Sequence, residues 1–136
     1  DENGLNAFKS IEAGIKAALP TVELFFLAVL CNVLVCLAVW MSFGGRSLAD
    51  KVLVIVPPVA AFVAAGFEHS IANLYLLPYA LALKAGAGPE FWAAIGQTAG
   101  DYPMLTIGNS LHNVVVATIG NLVVGAVYWF VHLRKR

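Results

Sequence analysis

From position 52 to about 83 the chain is almost wholly apolar, yet Gly66-Phe67-Glu68-His69-Ser70-Ile71-Ala72-Asn73 interrupts the run in its middle. About 20 apolar residues suffice for one helical crossing of a bilayer, so this run is too long for a single straight helix. A carboxyl, an imidazole and a carboxamide at mid-depth are costly there. Where such groups persist they line a pore, a proton path or a substrate site. Gly66 before the block and Pro78 after it both weaken a helix. Together these features predict a spanning helix broken near 66–70, with half-helices at about 52–65 and 71–83 and the polar break facing a cavity.

Composition agrees. The chain is 60% hydrophobic and 12% charged, with a mean hydropathy of +0.83. A soluble domain carries about 25% charged residues, so this is a chain for a lipid bilayer. A formal net charge of zero offers nucleic acid no electrostatic footprint. The opening Asp-Glu-Asn-Gly has neither the basic start nor the apolar core of a signal peptide. Cys31 and Cys36 are five residues apart, about 140° around a helix, and read as packing residues rather than a disulfide or metal pair.

Residues 1–20 form an amphipathic or interfacial segment. Phe8, Ile11, Ile15, Ala18 and Leu19 recur at helical spacing, with Lys9, Glu12 and Lys16 between them and Pro20 at the end. Three crossings are expected within 21–133: about 22–43, the broken 52–83, and 106–132. Pro57 and Pro58 are placed in the first turns of the first half-helix, where proline is better tolerated. Residues 84–105 read as a Gly- and Pro-rich connection anchored by Phe91 and Trp92. The stretch up to Asn113 is too polar for lipid contact and reads as a separate short helix inside the protein. Gly120 and Gly125 offer close-contact points.

Basic residues set the orientation. The tail, including Arg134, Lys135 and Arg136, and the 44–51 turn with Arg46 and Lys51 are expected in the cytoplasm, and 84–105 outside. Three crossings then put the amino-terminal segment outside, which is the expectation for a fragment whose preceding spans are missing.

His69 is the sharpest candidate for chemistry, because an imidazole can exchange a proton near neutral pH and can donate a hydrogen bond to an anion. The plainer alternative is a histidine satisfied by helix packing. Asn32 reads either as interhelical glue or as a donor beside His69. Lys16 is either an interfacial lysine or a cation drawing anions into a vestibule. Glu68 would repel anions from the pore itself and so belongs behind the wall. Phe62 and Val35 are core residues or, at a constriction, groups that dehydrate a small ion. His112 and Asn113 read as packing or connection residues. No His, Cys, Asp or Glu spacing matches a metal motif, so neither a metal nor a cofactor is expected. Nor is any enzyme's nucleophile set visible.

The blocks Cys31-Asn32-Val33-Leu34-Val35-Cys36-Leu37-Ala38-Val39-Trp40, Gly66–Asn73 followed by Leu74-Tyr75 and Pro78, and Thr118-Ile119-Gly120-Asn121 carry a resemblance. From Lys16 onward the chain resembles the carboxyl-terminal half of the formate/nitrite transporter family, pentameric channels for small monovalent anions. The resemblance implies an all-α membrane protein with an aquaporin-like inverted-repeat bundle. This chain would be its second three-span repeat, with a broken middle helix. It also implies His69 as the central pore histidine, Asn32 close to it, Lys16 at the vestibule, and Phe62 and Val35 in one constriction. Glu68 and Asn73 would hold the break. The implied partners are formate, nitrite or hydrosulfide, the bilayer, an amino-terminal three-span half, and copies of the subunit in a homopentamer of the bacterial inner membrane. The family's first repeat is absent from this sequence. The alternative reading is an aquaporin-like channel for neutral solutes.

Overall fold

The computed structural model describes residues 2–133, with side chains for all of these except 2–4, 8, 132 and 133. The basic tail expected at 134–136 and the side chain of Phe8 lie outside the described residues. All the regular structure of the described chain is helical. In order come α1 (Glu2–Ala17), α2 (Thr21–Ser42), α3 (Leu48–Ala64), α4 (Ser70–Gly86), the short α5 (Pro89–Ile95), a 3-10 turn (Ala99–Asp101) and α6 (Ile107–Tyr128). A π-helical turn, Trp129–Leu133, follows α6. By length and composition, Thr21–Ser42 and the run Ile107–Val131 can cross a membrane. Val22, Phe26, Leu53, Val63, Leu122 and Val127 are exposed along these helices and α3. So much open apolar surface belongs against lipid or protein rather than water.

The helices gather into two compact units. The first contains α1 through Thr21 and Ser70–Val115, hence α4, α5 and the opening of α6. Its core is Ala13, Ala17, Leu76, Leu77, Ala80, Tyr102 and Leu105. On α1 Ile15 stays 62% accessible, while the small residues Ser10, Ala13 and Ala17 are buried. Small residues let neighbouring segments approach closely. At Gly14 the approach is closest: a Cβ there would lie 2.5 Å from Cδ1 of Tyr102.

The connection after α4 has more structure than its composition suggested. Pro89 opens α5 at its first position, where a missing N–H costs nothing. Lys84 Nζ donates to the carbonyls of Tyr102 (2.6 Å) and Leu105 (3.0 Å), which clamps the loop onto the end of α4. The Tyr102 hydroxyl donates to Gln97 Oε1. Burial, with the Asp101 charge beside it, holds the Tyr102 phenol above its ordinary range.

The second unit contains Val22–His69 and α6 from Val116, so α2, α3 and the break segment. Leu24, Ala28, Cys31 and Ala117 are buried in it. Gly120 sits where α6 meets α2. A Cβ there would lie 2.7 Å from Ala28 Cβ and 2.8 Å from the Phe25 carbonyl oxygen, and backbone cannot step aside.

Helix α3 starts earlier than expected because Ser47 and Asp50 form a capping box. Ser47 Oγ accepts from Asp50 N (3.1 Å), and Asp50 Oδ2 accepts from Ser47 N (3.0 Å). Pro57 and Pro58 are therefore not in the first turn but deep in the helix. There they withdraw two N–H donors from its ladder. The separate short helix expected up to Asn113 is not formed. α6 runs unbroken from Ile107, because Asn113 finds polar partners inside the first unit and no proline interrupts it.

Candidate functional site

The end of α3 shapes the site. Gly66 takes φ +66°, the left-handed region a side chain disfavours. Its N–H donates to the Val63 carbonyl (3.1 Å), and Phe67 N–H donates back to the Phe62 carbonyl (3.0 Å). This pair of bonds is a Schellman cap: it satisfies the last carbonyls of α3 and turns the chain sharply out of the helix. Residues 65–69 then run without regular helix until α4 begins at Ser70.

The cap folds the chain back so that His69 meets α3. The imidazole of His69 stacks on the ring of Phe62, with centroids 5.6 Å apart and planes 15° apart. His69 is half-buried and Glu68 is fully buried beside it. Phe62 thus gives His69 one apolar wall and fixes its plane, with the ring nitrogens at the edge of the stack.

Asn121, in the middle of α6, ties this segment down. Its Nδ2 donates to the Glu68 carbonyl (3.1 Å) and to the Ala28 carbonyl of α2 (2.7 Å). Its own backbone carbonyl accepts from Asn32 Nδ2. One carboxamide thereby links α2, α6 and the residue preceding His69. Asn32 takes part through its amide group, and Gly125 leaves room for it, since a Cβ there would lie 3.4 Å from Asn32 Nδ2. Val35 is half-buried on α2 in the same unit.

Asn121 is the residue whose role sequence reasoning missed. A signal was available: it is a carboxamide in an otherwise apolar span, the same mark that singled out Asn32. It passed as part of a motif because nothing local says which carbonyl its side chain reaches.

Lys16 and Asn73 belong to the first unit. Asn73 Nδ2 donates to Asn113 Oδ1 (2.7 Å), and Asn113 Nδ2 donates to the Lys16 carbonyl (3.0 Å). Asn73 and Asn113 are each 1% exposed, so this carboxamide chain crosses a dry interior from α4 through α6 to α1. The Lys16 side chain is itself buried, with Nζ 3.7 Å from Glu12 Oε1. His112 Nε2 lies 3.1 Å from Thr21 Oγ1, an exposed tie between the start of α2 and α6. The site residues thus fall into two sets: His69, Phe62, Glu68, Asn32 and Val35 in one unit, Lys16 and Asn73 in the other.

A hydrogen-bonding imidazole is held by backbone ties between apolar neighbours. Among the described residues no group of three or more His, Cys, Asp or Glu side chains is placed to hold a metal.

Comparison with known proteins agrees in kind. The family model described as formate/nitrite transporter matches residues 3–133. The formate channel FocA of Escherichia coli K12 is 44% identical over 138 residues, covering 97% of this chain and 48% of the relative. The probable formate transporter of Methanothermobacter thermautotrophicus is 32% identical over 131 residues, covering 92% and 41% respectively. A solved pentameric formate channel with formate bound superposes with a TM-score of 0.85 at 41% identity, over 95% of this chain and 53% of that one. The chain spans about half the length of the curated relatives it matches.

Proposed function

Since the chain belongs to the formate/nitrite transporter family, a family of transport proteins rather than enzymes, we propose that it forms part of a path for small monovalent anions across the bacterial inner membrane. Formate is the first candidate, because the similar proteins are named as formate channels; nitrite and hydrosulfide share its size and single charge. In this reading α2, the α3–α4 pair and α6 are the three crossings of an aquaporin-like repeat. A second three-span half completes the pore, and five subunits assemble. The 44–51 turn and the carboxyl terminus face the cytoplasm.

The observation that carries the proposal is the capped break that holds His69 against Phe62 with Asn121 fixing the preceding carbonyl. An anion entering an apolar passage must shed water, at a cost of several kcal/mol or more unless hydrogen bonds replace it. Phe62 and Val35 supply the apolar constriction, and His69 supplies the hydrogen bond or a proton. A protonated weak acid crosses as a neutral molecule at a far smaller desolvation cost. Lys16 and the half-helix ends lower the anion's energy on approach. Glu68 and Asn73 hold the polar break from behind.

The test is anion flux into proteoliposomes carrying the complete protein, comparing formate, nitrite and hydrosulfide at pH 5 and 7.5, on either side of the ordinary histidine value of about 6.5. Selective, pH-dependent flux whose pH profile is flattened by His69→Phe is the expected result. Equal passage of a neutral solute such as glycerol, with no anion flux, would favour the aquaporin-like alternative.

A further inference from the structure

The first unit carries a lysine–tyrosine cluster that nothing above uses. Lys9 of α1 extends over α4. Its Nζ lies 4.7 Å from the centroid of the Tyr79 ring and 5.5 Å from that of Tyr75. It also donates to Tyr75 Oη at 3.3 Å. The two rings stack on each other, 5.7 Å apart and 22° from parallel. The Tyr79 hydroxyl donates to Asn6 Oδ1 at 2.5 Å, which locks the second ring to α1. This is a built arrangement rather than a waving surface lysine: two rings and a hydroxyl hold one ammonium in place.

Among the described residues no carboxylate lies within ion-pair distance of Lys9. Glu12, one helical turn further on, pairs with Lys16 instead. The ring faces attract the ammonium but carry no net negative charge. The hydrogen-bond inventory points the same way. An ammonium has three N–H donors and no acceptor, and one donor is used on Tyr75. Because Tyr75 Oη accepts that bond, its own O–H is left to donate, and Tyr75 is 59% exposed. Two donors, one of them charged, therefore stand 3.3 Å apart on the α1–α4 face of this chain. A planar anion with two oxygens on one atom can take one donor on each oxygen, the geometry that makes carboxylate recognition bidentate.

We infer that Lys9 and Tyr75, braced by Tyr79 and Asn6, form an anion-capture site for a small carboxylate-type anion on the α1–α4 face, outside the pore-histidine site. The inference rests on the anion-path reading for the identity of its ligand. The site raises the local anion concentration and leaves the barrier at His69 untouched.

Binding is read directly, without transport, from line broadening of carbon-13 formate titrated onto the purified complete protein in nanodiscs of zwitterionic lipid. A His69→Phe background removes the pore histidine from the signal. Lys9→Met should weaken the remaining binding by about three- to tenfold, the range of an exposed charge-assisted hydrogen bond. Tyr75→Phe keeps both rings and deletes one donor, so it should weaken binding less, in the same direction. Lys9→Arg should restore it. In liposomes of the otherwise unaltered protein, Lys9→Met should raise the half-saturating formate concentration and leave maximal flux unchanged. Formate binding that is indifferent to both Lys9→Met and Tyr75→Phe overturns the site. So does a Lys9-dependent signal that appears only with phosphatidylglycerol in the disc, which would make the ligand a lipid phosphate. Lys9-dependent binding in a protein that passes no anion would overturn the transport reading and leave this site standing.

Discussion

Asn121→Leu removes the carboxamide that joins three segments while keeping its branching and its number of heavy atoms. Two donated bonds are lost, at 2.7 Å to Ala28 O and 3.1 Å to Glu68 O. They are not equivalent. Ala28 lies within α2, where its carbonyl already accepts from the fourth residue on, so the loss there is that of one membrane-interior hydrogen bond, about 0.6 kcal/mol. Glu68 lies in the non-helical break, and the loss there is that of one buried hydrogen bond, about 0.5–1.5 kcal/mol. The sum is about 1–2 kcal/mol, or a five- to thirty-fold shift between the ordered break and its loosened alternatives. Thermal unfolding of the purified protein in detergent should show the loss of stability and, on the proposed anion path, flux should show a broadened selectivity, because His69 follows Glu68 directly. Asn121→Asp should be at least as damaging, since an ionised carboxylate offers acceptors to two acceptors. An Asn121→Leu protein that melts with the wild type and keeps its anion preference would refute the claim that this carboxamide positions the break.

Two further outcomes follow from the ends of α3. Gly66→Ala should cost about 1 kcal/mol from left-handed backbone alone, because a Cβ at this site meets no heavy atom within 4 Å; Gly66→Asn should recover part of it, and equal unfolding temperatures for all three proteins would contradict the cap. At the other end, bonds from the Ser47 backbone, the Ser47 hydroxyl and the Arg46 backbone hold the Asp50 carboxyl below its ordinary value. A depressed folded value means the contribution is present above the unfolded value of about 3.9 and is lost as pH falls through the lower, folded one. Amide exchange at residues 48–51 should therefore accelerate, relative to the rest of α3, only below about pH 4, and Asp50→Asn should abolish that dependence.

Local chemistry was legible in this sequence, and packing was not. The all-helical character and the family follow from apolar runs and from the polar block Gly66–Asn73 that interrupts one of them. The end of α3 was also local, since Gly66 sits where a helix must turn out. Its start was misjudged because Ser47 and Asp50 were read as turn residues rather than as a capping box, and that error placed Pro57 and Pro58 in a first turn they do not occupy. On α1 the sequence marks an amphipathic segment, but not that its small residues Ser10, Ala13 and Ala17 would be the buried ones.

The sequence alone determined which groups are too polar to meet lipid: Asn32, Glu68, His69, Asn73, Asn113 and Asn121. It could not determine their partners. A carboxamide can donate to any carbonyl within reach, and reach is set by how helices cross. Only the tertiary structure decided that Asn73 pairs with Asn113, that Asn121 serves Glu68 and Ala28, and that Phe62 lies flat against His69.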